Sequence, residues 1–225
     1  MTEHGIQLDH ERERRIGFDE AIFAAGKDLG QIEALIAQAV ESRARRLFTR
    51  LDAAKLAALP EGARAALDYD AVSRTAFLGA PRRSPAPARV AVLTGGSSDL
   101  FASREAARTL EYYGHACLHV ADVGVAGIWR LLERIDEVRP MRVVIVAAGM
   151  EGALPSVVAG LVPGVVVALP TSVGYGVSEG GRAALTSALA SCAPGLVTVN
   201  IDNGYGAACA ALRVLGPPAA SLSIA

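Results

Sequence analysis

Arg89-Val90-Ala91-Val92-Leu93-Thr94-Gly95-Gly96-Ser97-Ser98-Asp99 decides the fold. Its apolar residues run without alternation, which describes a strand buried on both faces, the pattern of a parallel sheet. Two glycines end the run, and Ala102, Ala106, Leu110 and Tyr113 then recur at the spacing of an amphipathic helix. Working outward, β-branched runs return at 116–120, 142–146, 165–169 and 196–200, with a second helical stripe at Ile128, Leu131, Leu132, Ile135 and Val138. Alternation of strand and helix predicts an α/β fold, a doubly wound parallel sheet in three α/β/α layers, whose ligands gather beyond the carboxyl ends of the strands.

The first part of the chain has a different composition. Residues 1–88 hold 26 of the 45 charged residues and both lysines, Lys27 and Lys55. Pro81, Pro85 and Pro87 interrupt any regular element between the two compositions. The expected division is a small α+β domain over 1–84 and the α/β/α domain over 85–225. Within the first, 18–23 and 47–50 read as short strands, and 29–42 as a helix with Ile32, Leu35, Ile36 and Val40 on one face. The charge run at 9–15 reads as a solvated segment, the alternative being an arm onto a neighbouring subunit.

Composition removes several classes of function. A formal net charge of -1 over 225 residues leaves no basic footprint for nucleic acid. No apolar run approaches the ~18 residues of a membrane helix, and the polar start at Met1 lacks a signal-peptide core. Three cysteines cannot all pair. The expectation is a soluble cytoplasmic protein without a nucleic-acid or membrane partner.

Candidate site residues collect where strands end. Thr94, Gly95, Gly96, Ser97 and Ser98 suit an anion or ribose, since glycines admit close approach and helix-start amides attract negative charge. Asp99 could accept from ribose hydroxyls or hold a divalent cation, magnesium being the candidate, or it could simply cap the helix. Gly149 and Met150 lead into Glu151, the one acid between Glu137 and Glu179. It reads as a general base or as a bland helix-start glutamate. Cys192, at a helix-to-strand junction where a side chain can point into a cleft, reads as a nucleophile or as a small core residue, whereas Cys117 and Cys209 read as small core residues. Asp122, Gly124, Ser172, Val173, Gly174, Tyr175, Gly176, Asp202 and Asn203 read as cleft contacts, with turn and cap roles open for the last two. No histidine follows His119, no lysine lies in the second domain, and no zinc spacing or P-loop occurs. Cys192 with Glu151 is the pair that remains.

These motifs carry a resemblance. Thr94-Gly95-Gly96-Ser97-Ser98-Asp99, Asp122-Val123-Gly124-Val125-Ala126-Gly127, Gly149-Met150-Glu151-Gly152-Ala153-Leu154-Pro155, Pro170-Thr171-Ser172-Val173-Gly174-Tyr175-Gly176 and Asn200-Ile201-Asp202-Asn203-Gly204-Tyr205-Gly206 resemble the LarB family. Arg15-Ile16-Gly17-Phe18-Asp19-Glu20 and Gly26-Lys27 resemble its N-terminal domain. That family resembles the PurE class of aminoimidazole ribonucleotide carboxylases in its C-terminal domain. The PurE class carries Ser-Ala-His-Arg after the second strand, whereas this chain has Asp122-Val123-Gly124-Val125 and no imidazole there. Glu179 departs from the LarB pattern.

The resemblance implies a PurE-like catalytic domain that carboxylates and hydrolyses nicotinic acid adenine dinucleotide. The implied products are pyridinium-3,5-biscarboxylic acid mononucleotide and AMP, for nickel pincer cofactor biosynthesis. Carbon dioxide or bicarbonate is the implied co-substrate, Cys192 the nucleophile and Glu151 the base. It further implies magnesium, no nickel bound by this chain, and a homo-octamer. Alternatives are a PurE-type carboxylase or mutase, and a non-catalytic nucleotide-binding module.

Overall fold

A computed structural model describes residues 5–82 and 86–216. The chain divides into two compact units, 1–82 and 83–225. The boundary expected between 84 and 85 falls on residues outside those described.

The first unit comprises α1 (Arg12–Ile16), β1 (Ile22–Phe23), α2 (Leu29–Glu41), β2 (Arg46–Thr49), α3 (Ala53–Ala58), α4 (Glu61–Ala65), β3 (Leu67–Asp70) and β4 (Thr75–Leu78). Its sheet has the order β1-β2-β4-β3, with β1 parallel to β2 and the other pairs antiparallel. Helix α2 starts where Asp28 accepts from the Gln31 amide at 2.8 Å and Gln31 returns a bond to the Asp28 amide. Its Ile32, Leu35 and Ile36 pack on Ile22, Phe48 and Leu78. Val40, expected on that face, is exposed, and Ala39 takes the buried position. The charge run becomes α1, which buries no residue. Lys55 donates to the carbonyls of Ala24, Ala25 and Lys27, tying the β1–α2 connection to α3.

The second unit follows as β5 (Val90–Thr94), α5 (Leu100–Tyr112), β6 (Cys117–Val120), α6 (Trp129–Val138), β7 (Val143–Ala148), α7 (Leu154–Ala159), β8 (Val165–Pro170), α8 (Arg182–Leu189), β9 (Val197–Thr198) and α9 (Gly204–Leu215). All pairs are parallel, in the order β6-β5-β7-β8-β9. The expected doubly wound α/β sheet is what forms. Strands β5 and β7 are buried along their whole length because helices cover both faces. On one face Leu131, Ile135 and Val138 of α6 and Leu154 and Val158 of α7 pack on Ala91, Leu93, Val144 and Val146. The alternate residues Val90, Val92, Val143 and Ile145 point to the opposite face. Each such large side chain removed from water contributes about 1.5–3 kcal/mol.

Helices α5 and α9 pack together. Ala207, Ala208 and Ala211 of α9 are buried within the chain. These small residues let α9 approach α5 closely. The α9 start is held by Glu105 of α5, which accepts from the Gly204 amide at 2.9 Å.

Candidate active site

Parallel pairing brings the ends of β5 to β9 to one edge. Chain order reverses between β5 and β7, whose connections leave toward opposite faces, so a crevice opens there. Asp99 lies at this point. It is 4% exposed; its Oδ2 accepts from the Gly96 amide at 2.8 Å and its Oδ1 from the Thr171 hydroxyl at 2.6 Å. The Gly149 backbone bonds it as well. One carboxylate thus joins the loops after β5, β7 and β8. Burial raises its pKa, against the hydrogen bonds that favour the charged form.

The loops around it have unusual backbone. Asp122, Met150 and Asp202 adopt φ of 58°, 52° and 58°, one after each of β6, β7 and β9. Left-handed conformation costs an L-residue about 1–2 kcal/mol and collects at functional sites. Here hydrogen bonds enforce it. The Asp122 amide donates to Thr94 Oγ1 at 2.9 Å, the Met150 amide to the Val173 carbonyl at 2.7 Å, and the Asp202 amide to the Pro170 carbonyl at 2.8 Å. Asp202 Oδ1 also accepts from the Ser172 amide at 2.7 Å. At Gly149 a Cβ would stand 2.2 Å from the Val173 carbonyl oxygen, so only glycine allows the β7 and β8 loops to meet.

Glu151 is exposed in the turn between β7 and α7, three residues before the helix at whose start the sequence placed it. Cys192 is exposed with a free thiol in the connection from α8 to β9. Successive right-handed crossovers put α7 and α8 on the same face. Gly152 touches Ala184 near the start of α8. The acid and the thiol thus stand on one side of the sheet, set apart by roughly the length of α8, about 12 Å. Ser156 of α7 and Ser191 share a hydrogen bond of 2.7 Å, and Ser191 Oγ accepts from the Ala193 amide at 3.2 Å. This staple fixes the cysteine loop to the helix that follows Glu151.

Of the other expected residues, Thr94 is buried and braces Asp122, while Ser97, Ser98 and Tyr175 are exposed at the edge. Gly124, Val173, Gly174 and Gly176 shape the connecting loops. Asn203 caps α9 through the Gly206 amide at 2.8 Å. Cys117 is largely buried, which pushes its thiol pKa up to about 11. Four participants went unread in the sequence: Thr171, Ser156, Ser191 and Arg130, which pairs with Asp122 at 2.6 Å. Thr171 sat within a quoted motif and Ser191 next to Cys192, but their partners lie 72 and 35 residues away.

Among the described residues no three His, Cys, Asp or Glu side chains gather as a metal site. Both Asp99 oxygens accept hydrogen bonds from the surrounding loops. A cavity of about 330 Å³ lies in the first unit, lined by Ile6, Glu20, Phe23, Lys27, Gln31 and Leu35 among others. It contains neither Glu151 nor Cys192. Loop geometry and side-chain chemistry, rather than enclosure, mark the carboxyl edge as the candidate site.

A parallel sheet in this order, with helices on both faces, defines a doubly wound α/β domain. The AIR carboxylase family matches residues 89–223, and the LarB/PurE-like N-terminal domain matches residues 3–80. The chain belongs to the LarB family. A Methanocaldococcus jannaschii protein described as uncharacterized is 36% identical over 215 residues, spanning 91% of this chain and 82% of its own. The crystal structure of Treponema denticola PurE is 25% identical with a TM-score of 0.47, covering 56% of this chain and 78% of its own. A variant of the PurE2 of that organism gives 24%, 0.47 and the same coverage.

Proposed function

We propose that the protein carboxylates the pyridinium ring of nicotinic acid adenine dinucleotide at C5 and hydrolyses its phosphoanhydride. The products are pyridinium-3,5-biscarboxylic acid mononucleotide and AMP. The observation that carries this reading is the exposed Cys192 thiol stapled through Ser191 and Ser156 to the helix beside exposed Glu151, in a chain of the LarB family.

A pyridinium ring is electron-poor and does not attack carbon dioxide. Addition of the Cys192 thiolate to C4 moves an electron pair onto the ring nitrogen and makes a dihydropyridine with enamine character at C5. C5 then forms a bond to the carbon of carbon dioxide, leaving an iminium and an sp³ C5 that still carries its hydrogen. Glu151 removes that proton. The nitrogen electron pair expels the thiolate, breaking the C4–S bond and restoring aromaticity. Water cleaves the phosphoanhydride, with the exposed Ser97 and Ser98 hydroxyls as contacts of the phosphates in this reading. Magnesium enters this reading with the diphosphate of the substrate and its waters, since among the described residues no three metal-ligating side chains gather. We further propose a cytoplasmic homo-octamer that binds no nickel itself.

The test incubates the wild type, Cys192→Ala and Glu151→Gln with the dinucleotide, bicarbonate and magnesium, with product analysis by mass spectrometry. Dicarboxylated mononucleotide and AMP from the wild type alone support the assignment. Unchanged dinucleotide from the wild type refutes it.

A further inference from the structure

The segment Asp122-Val123-Gly124-Val125-Ala126-Gly127, which stands where the PurE class has its histidine, plays no part in the ring chemistry above. Its folding is nonetheless closely specified. Asp122 is held left-handed by Thr94, and the Val123 amide donates to the Thr94 carbonyl at 2.9 Å. A Cβ at Gly124 would lie 2.6 Å from the Gly95 carbonyl oxygen, so glycine lets this turn press on the loop after β5. A Cβ at Gly127 would lie 2.9 Å from Arg130 Nε, so glycine also leaves room for the guanidinium to lie against the turn. Arg130 Nη1 donates to Asp122 Oδ2 at 2.6 Å, with the arginine side chain 32% exposed.

The segment therefore sets a guanidinium on the turn that presses against Gly95, in the loop that goes on to expose Ser97 and Ser98. Asp99, Asp122, Glu151 and Asp202 crowd carboxylates around the same edge, a poor setting for an anion without a cation to offset them. We infer that Arg130 recognises a phosphoryl group of a nucleotide at this edge, with Asp122 orienting the guanidinium. A planar fork of donors can hold Asp122 and phosphate oxygens at once. The inference rests on the proposed dinucleotide substrate and adds a specificity residue to it.

Calorimetric titration with AMP, nicotinic acid mononucleotide and their unphosphorylated nucleosides tests the inference and tells which half of the dinucleotide supplies the phosphate. Arg130→Met should weaken one mononucleotide by about 10- to 100-fold while leaving its nucleoside unchanged. Arg130→Lys should fall between, and it decides the matter if the methionine variant does not fold. Arg134→Met, one turn further along α6 and paired with Glu137, should bind as wild type. Equal affinities for wild type and both Arg130 variants overturn the inference and leave the dinucleotide assignment standing. Equal losses for nucleotide and nucleoside overturn it too. A wild type that binds neither mononucleotide removes the parent assignment along with it.

Discussion

Replacing Asp99 with alanine removes the tie among three loops. The carboxylate accepts from Thr171 at 2.6 Å and from Gly96 at 2.8 Å, both short bonds to an ionisable acceptor. Bonds of this kind contribute about 1.5–3 kcal/mol each, and the orphaned donors then carry a desolvation cost of their own. Against that stands the burial that raises the pKa of Asp99. A net loss of about 3 kcal/mol follows, which in a protein of this size lowers the melting temperature by roughly 6–12 °C. Thr171→Val, which keeps the volume and removes one donor, should cost about 1–3 kcal/mol. The double variant should cost less than the sum, since the two residues share one bond.

The sign of the pH dependence follows from the raised pKa. Between the unfolded and folded values the native state binds the extra proton, so the contribution of Asp99 falls as pH rises through that window. Asp99→Asn should flatten this part of the stability profile. Calorimetric scans of the variants over weakly acidic pH provide the assay. Melting of Asp99→Ala within about 1 °C of wild type, or strict additivity with Thr171→Val, would refute the clamp.

Three further outcomes follow from the same contacts. Ser156→Ala should loosen the Cys192 loop and lower kcat several-fold, as expected for a lost bond of about 1 kcal/mol, with KM little changed in steady-state assays. Alkylation at pH 8 followed by peptide mapping should label exposed Cys192 well before Cys117, whose thiol pKa burial pushes up to about 11. Glu105→Ala should destabilise the protein by about 1–3 kcal/mol in thermal melts, because it strips the buried start of α9 of its acceptor.

The catalytic domain was legible because its strands are continuous β-branched runs and its helices keep a 3.6-residue period. Expected and observed strands agree within a residue or two for β5, β6, β7 and β8. At β9 the expected 196–200 shrinks to two residues, Val197 and Thr198, paired with Val167 and Ala168 of β8. The Val199 amide bonds to the Ala168 carbonyl just beyond it. The β3–β4 hairpin escaped notice because Leu67-Asp68-Tyr69-Asp70 contains two aspartates, poor strand formers tolerated here on a partly exposed strand. At the site, residue chemistry marked Cys192 and Glu151, and glycine marked the loops. The Asp99–Thr171 clamp and the Ser156–Ser191 staple join distant positions whose proximity is created only by the sheet order.

The most direct test of the central claim supplies ¹³C-bicarbonate with nicotinic acid adenine dinucleotide and follows the label by mass spectrometry. A labelled second carboxylate on the released pyridinium mononucleotide, equimolar AMP, and neither product from Cys192→Ala are the predicted result. Unlabelled dinucleotide recovered intact from the wild type, or labelled product formed undiminished by Cys192→Ala, would contradict it.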